Sequence, residues 1–169
     1  LMLEQCFGWS GLLLEANPAN ARIAAKRGRR KNSTRVYHSA VCDGTSQTTV
    51  NMTARGGTIA AQSGVSNGAH FHKWSKVLGT NPAMVQVPCA PLPALMRRAG
   101  LGDEGADDES ATFLSLDVEG AEYMVLQHSR PERFAVVMIE HRAELEGKRS
   151  RGRIGDLMRA RGMRPATAL

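Results

Sequence analysis

The sequence has no long hydrophobic run. Its richest apolar stretch, Ala135 to Ile139, is far shorter than the ~20 residues that a membrane-spanning helix needs. No basic-then-apolar leader ending in small residues opens it, so no signal peptide is expected in this stretch. Cysteine is scarce: Cys6, Cys42 and Cys89 are odd in number and widely spaced. That excludes a disulfide-framework miniprotein and a Cys-x-x-Cys zinc site, and it points to a reducing compartment. Cys42 and Cys89, beside strands, are expected to be buried, inert thiols. Aromatics are 5% of the chain, and none interleaves with its densest basic run, Lys26-Arg27-Gly28-Arg29-Arg30-Lys31. Without bases stacked on aromatics, that run reads as a solvated helix end and loop, not a specific nucleic-acid site. Acids are nearly missing from the first half: between Ala16 and Gly102 only Asp43 is acidic, against twelve Lys and Arg.

What remains is globular. A chain of 169 residues, 42% hydrophobic and 22% charged with net charge +6, suits one domain with its own core. Leu1 to Gly8 read as the last turns of a helix. Gly11-Leu12-Leu13-Leu14-Glu15 is a buried-strand pattern ending in an acid. Asn17-Pro18 supplies a cap and first-turn proline for a helix over Ala19 to Arg27, which Gly28 can close. A second strand is predicted at Arg35 to Val41, and a hairpin pairs Thr48–Thr53 with Thr58–Ala61. Met84 to Val87 is a further strand. Pro91 opens a helix with Leu92, Leu95, Met96 and Ala99 on one face, ended by Gly100. Thr112–Val118 and Phe134–Glu140 are strands, Gly120–Gln127 is a helix, and Ile154, Leu157 and Met158 mark a last helix ending near Gly162. Strands alternating with helices predict an α/β, Rossmann-like, doubly wound and mainly parallel sheet with helices on both faces.

The chemistry gathers at strand ends. Leu12-Leu13-Leu14 runs into Glu15, Phe113 to Leu116 into Asp117 and Glu119, Val136 to Ile139 into Glu140 and His141, and another strand ends near Asp43. In a doubly wound sheet the carboxyl ends of the strands form the ligand crevice, so these acids would share one rim. An acid ending the second strand can accept both vicinal hydroxyls of a ribose, and Glu15 is placed for that. Other candidates read as structural. His70 and His72 lack further metal ligands, and the acids of Asp103–Glu109 lack calcium-loop spacing. Trp9 and Trp74 read as packing residues. Glu122 suits a helix start. Asn32-Ser33-Thr34 and Asn51-Met52-Thr53 are glycosylation-type triplets that matter only in a secretory lumen.

Gly8-Trp9-Ser10-Gly11-Leu12-Leu13-Leu14-Glu15-Ala16-Asn17-Pro18 and Phe113-Leu114-Ser115-Leu116-Asp117-Val118-Glu119-Gly120-Ala121-Glu122 resemble the two signature segments of the FkbM-type methyltransferases. Val87-Pro88-Cys89-Ala90-Pro91-Leu92 resembles the segment between them, and Val136 to Glu140 the next strand. The resemblance covers nearly the whole chain, in order. It implies an S-adenosylmethionine-dependent methyltransferase, typically acting on a hydroxyl of a small molecule or glycan. By that likeness Glu15 and Asn17 would lie at the cofactor's ribose, and Val41, Cys42 and Asp43 by its adenine. Asp117 and Glu119 would lie near its amino acid end or the acceptor. An alcohol must lose a proton, and Asp117 and His141 are the candidate bases.

The resemblance also predicts a first strand with a glycine-rich turn ahead of Leu1 and closing strands after the last helix. The stretch is therefore expected to be a partial domain, with open strand edges where the first strand would lie and weak cofactor binding. The alternative in another class is a non-catalytic, Star-like protein of endoplasmic reticulum and Golgi trafficking, which has a similar domain. Composition is silent on oligomeric state and localisation.

Overall fold

The computed structural model describes residues 2–27, 34–45, 48–55, 58–62, 83–101, 111–118, 120–140 and 143–166. The first helix, α1 (Met2–Phe7), leads into strand β1 (Gly11–Glu15). Helix α2 (Pro18–Lys26) follows because Asn17 caps it: its side-chain oxygen accepts from the amides of Ala19 and Asn20 at 2.8 and 3.2 Å, and proline takes the first position. Strand β2 (Thr34–His38) lies parallel to β1, with Gly11 opposite Thr34 and Glu15 opposite His38.

The predicted strand Arg35–Val41 is two strands. The chain leaves β1 at Ser39, whose amide donates to the Glu15 carbonyl, and resumes as the two-residue β3 (Ala40–Val41) on a different partner. That partner is β6 (Ala83–Ala90), longer at both ends than its central Met84–Val87 pattern. Between them lies the expected hairpin, β4 (Thr49–Arg55) antiparallel to β5 (Thr58–Gln62), and β4 also lies antiparallel to β6. This gives a four-stranded sheet in the order β3-β6-β4-β5.

Helix α3 (Leu92–Arg98) starts after Pro91 and closes as expected at Gly100, which has φ +66°; the Leu101 amide reaches back to the Met96 carbonyl. Strand β7 (Ala111–Leu116) and strand β8 (Phe134–Ile139) form a second parallel pair. Between them are α4 (Glu122–Gln127) and a single 3-10 turn (Pro131–Arg133). The α4 boundary moves in from the predicted Gly120, which sits at φ +101° in the preceding turn, outside helical space. The final helix, α5 (Ala143–Ala160), ends at Arg161-Gly162 as the sequence pattern indicates. None of the described helices is long and apolar enough to cross a membrane.

One continuous, mainly parallel sheet is expected; three separate sheets are found among the described residues. The reason is pairing: among the described residues β1 pairs only with β2 and β7 only with β8, so the two parallel pairs share no backbone ladder there. Side chains join them instead. One core holds Val41, Leu92, Leu95, Leu116, Val125, Leu126, Phe134 and Ile154, with Leu12 and Leu14 of β1 packed against it. A second, smaller core holds Ala40, Cys42, Val50, Met52, Val87 and Cys89.

The C-terminal end of α3 touches both parallel pairs. Arg35, early in β2, donates to the Ala99 carbonyl, and the Tyr37 hydroxyl donates to the Arg98 carbonyl at 2.9 Å. Leu101 shares a shallow pocket with Phe134, the first residue of β8. Trp9, ahead of β1, meets Phe113 of β7 edge-to-face with ring centroids 6.5 Å apart. Trp9 makes this ring contact while 38% of its surface stays exposed, so it is a packing residue only in part. These contacts gather the starting ends of both parallel pairs.

Leu126 is fully buried, so Leu126→Ala is expected to destabilise the chain by about 2–5 kcal/mol in urea unfolding. Val136, on β8 with 54% of its surface exposed, is expected to cost under about 1 kcal/mol as Val136→Ala. Equal losses would contradict the placement of the core.

Candidate functional site

Glu15 is the last residue of β1 and half-buried. Its Oε1 accepts the Asn17 amide at 2.8 Å, so the capped start of α2 holds the carboxylate in one orientation. Asn17 itself is buried, and its side-chain oxygen is engaged in the cap. Opposite Glu15 stands His38, whose Nε2 lies 3.0 Å from the Ala16 carbonyl oxygen. Sequence reasoning missed His38. Its only signal was its place at the end of a strand adjacent to β1.

Val41 and Cys42 are buried, and Asp43 follows at the surface of the turn. The Asp43 Oδ1 accepts from the Thr45 amide at 3.1 Å and from the Thr45 hydroxyl at 2.9 Å. These two bonds hold the Asp43 carboxyl below its ordinary pKa, with a smaller attraction from His128. Asp43 is therefore an ionised acceptor at any pH near neutral.

The expectation of inert thiols at Cys42 and Cys89 is half right. Both are buried, but they are joined in a disulfide with Cα atoms 5.7 Å apart. Parallel pairing of β3 with β6 sets Ala40 against Cys89, bringing the two sulfurs together across 47 positions of chain. No spacing rule links such distant cysteines, so the sequence offered no signal for the bond. It also removes the argument for a reducing compartment. Cys6 is free and exposed.

Asp117 directly follows β7 and is exposed; Glu140 directly follows β8, its amide donating to the Leu116 carbonyl at 2.9 Å. Parallel pairing thus brings Asp117 and Glu140 to the same end of their pair, as it brings Glu15 and His38 to the same end of theirs. Glu122 starts the helix and is structural, as expected, and it is also buried. It is 2% exposed, and its Oε1 accepts the amides of Val118 and Gly120 at 3.1 and 3.2 Å. It thereby shapes the turn that carries Asp117. Glu119, His141, His70, His72, Trp74, Gly28, Asn32 and the acidic segment 103–109 lie outside the described residues. Among the described residues, no group of three or more His, Cys, Asp or Glu could hold a metal ion.

A family model described as the methyltransferase FkbM domain matches residues 4–165, nearly the whole chain. The chain belongs to the FkbM methyltransferase family. The match supports a methyltransferase function in general and gives no support to the trafficking alternative. Searches of curated proteins and of solved structures return no significant match. The segments that carry Glu15 and Asp117 both lie within the matched residues of this FkbM domain.

Two outcomes test the local geometry. Glu122→Ala leaves two half-buried amides without their acceptor and is expected to cost about 1–3 kcal/mol in thermal or urea unfolding, with Glu122→Gln recovering part of it. Asp43 is bound more strongly when ionised, so its turn is intact above the ordinary value of 3.8 and is lost as pH falls through the lowered folded value. The Thr45 amide resonance should therefore titrate with a midpoint below 3.8; a higher midpoint would contradict the Asp43–Thr45 contact.

Proposed function

We propose that this FkbM domain is an S-adenosylmethionine-dependent methyltransferase acting on a hydroxyl of a small molecule or glycan. The observation that carries this is the oriented Glu15 carboxylate at the end of a parallel strand, with Ala16 after it packed on the cluster that holds Cys42, the residue before Asp43. The chemistry of the two groups fits the polar parts of such a cofactor. A carboxylate accepts vicinal ribose hydroxyls, and a second anionic acceptor suits an exocyclic amine. Asn17 contributes by fixing Glu15, and the buried Val41 and Cys42 give the adenine side an apolar wall. S-adenosylmethionine supplies, when bound, a methyl group on a sulfonium sulfur, open to in-line displacement.

The remaining work belongs to the chain's own residues. They hold the acceptor oxygen in line and keep water away. The acceptor hydroxyl gives up its proton to the Asp117 carboxylate or the His141 imidazole, while Glu119 binds near the same place. On this reading both parallel pairs end at one crevice, because both begin around the C-terminal end of α3. The domain is then a doubly wound fold, with the strand ends as the ligand rim.

Titration with S-adenosylhomocysteine, followed by amide chemical shifts so that weak binding registers, tests this directly. Perturbations are expected at Glu15–Asn17, Val41–Asp43 and Asp117, and Glu15→Ala should weaken binding about tenfold or more, the loss of a charge-assisted hydrogen bond pair. Shifts absent from these segments, or Glu15→Ala binding as tightly as the parent, would overturn the proposal.

A further inference from the structure

We propose that the Cys42–Cys89 disulfide is a positioning bond, holding the Asp43 turn in the place where the cofactor reading above, on which this rests, needs an anionic acceptor. Before the turn, Val41 is seated in the main core, and the backbone pairing there is short. Strand β3 is two residues long, and beyond it the Cys42 amide makes one backbone bond, to the Ala90 carbonyl at 3.2 Å. The hydrogen bonds of Asp43 to Thr45 are local: they shape the turn without attaching it to the rest of the domain.

The attachment comes from either side of Asp43. Cys42, immediately before it, is bonded to Cys89 near the end of β6, with 2% and 8% of their surfaces exposed. Gly44, immediately after it, adopts φ +83° and packs so closely on Pro91, at the start of α3, that a Cβ there would collide with the proline ring. The covalent bond and the proline contact thus press the turn against one junction, where β6 becomes α3. The same bond closes the loop holding the β4–β5 hairpin, whose β4 pairs with β6 from Pro88 back to Ala83. Breaking the bond frees both the acceptor turn and the base of that hairpin; Cys42 and Cys89 belong to the smaller core, and Val125 and Leu126 to the other.

Reduction by a dithiol breaks the S–S bond: two electrons and two protons go to the two sulfurs, and the dithiol leaves as its own disulfide. The first measurement is thiol alkylation of denatured protein purified without reductant. One adduct, at Cys6, is expected, and three after dithiothreitol. Three adducts without reductant would overturn the proposal. The second is amide hydrogen exchange in the native protein. Reduction should speed exchange at Cys42 and Thr45 at least tenfold and leave Val125 and Leu126 unchanged, and a Cys42→Ser, Cys89→Ser chain should match the reduced form at Thr45 with or without dithiothreitol. Reduced wild-type protein serves the same purpose if that variant does not fold. Equal Thr45 exchange in both redox states would overturn it.

The third is the S-adenosylhomocysteine titration, in which reduction should weaken binding at least fivefold. Unchanged affinity would overturn the positioning role. Oxidised protein that shows no perturbation at all would overturn the cofactor reading instead, and the exchange result alone would then decide whether the bond fixes the turn.

Discussion

Parallel pairing is the constraint on which this structure depends. When two strands run the same way, the residues that follow them are delivered to the same end, whatever their distance in sequence. Glu15 and His38 meet in this way after β1 and β2, and Asp117 and Glu140 after β7 and β8. The apolar runs before these residues are what the core needs, and the polar residues after them are what solvent and ligand need. The acid-ended strand pattern is one sequence feature serving both demands.

Two kinds of joint hold the pairs in relation. Hydrophobic packing brings Leu12 and Leu14 against the core that holds Leu116, Leu126 and Phe134, which supplies most of the stabilisation but little direction. A more specific joint is made at the terminal carbonyls of α3, where Arg35 and Tyr37 supply donors that the helix cannot provide for itself. The guanidinium of Arg98 also lies over the Tyr37 ring, 5.3 Å from its centroid, so the same junction gains a cation–π contact. On the other flank, Arg153 of α5 stacks over Tyr123 of α4 at 4.0 Å.

The readable elements were those with a local cause. Asn17-Pro18 announces α2, Gly100 closes α3, Gly162 follows α5, and the uniform apolar runs of β1, β7 and β8 identify themselves. Family membership was also readable, because its segments are contiguous and ordered. Features set by tertiary contact were not readable. Nothing near Ser39 shows that the strand changes partner there, since either continuation satisfies the same local pattern. Glu122 is legible as a structural acid at a helix start, but its burial is not. It is buried because two amides of its own turn reach back to it, a preference visible only once the turn is formed. The Cys42–Cys89 bond depends on β3 lying beside β6, a pairing across more than forty positions. It changes what the cysteines say about redox environment.

The claim underlying the whole account is that the ends of β1 and β7 face a common rim, and a distance between them tests it most directly. Nitroxide labels at positions 15 and 117, in a chain with Cys6 replaced by serine and the Cys42–Cys89 bond intact, would report it by pulsed electron resonance. Neighbouring strands lie about 4.8 Å apart and a strand of this length spans roughly 17–20 Å, so labels on one rim should stand closer than a strand's length, at about 20 Å or less. A distribution centred well beyond about 30 Å would put the two ends on opposite sides of the domain and contradict the account.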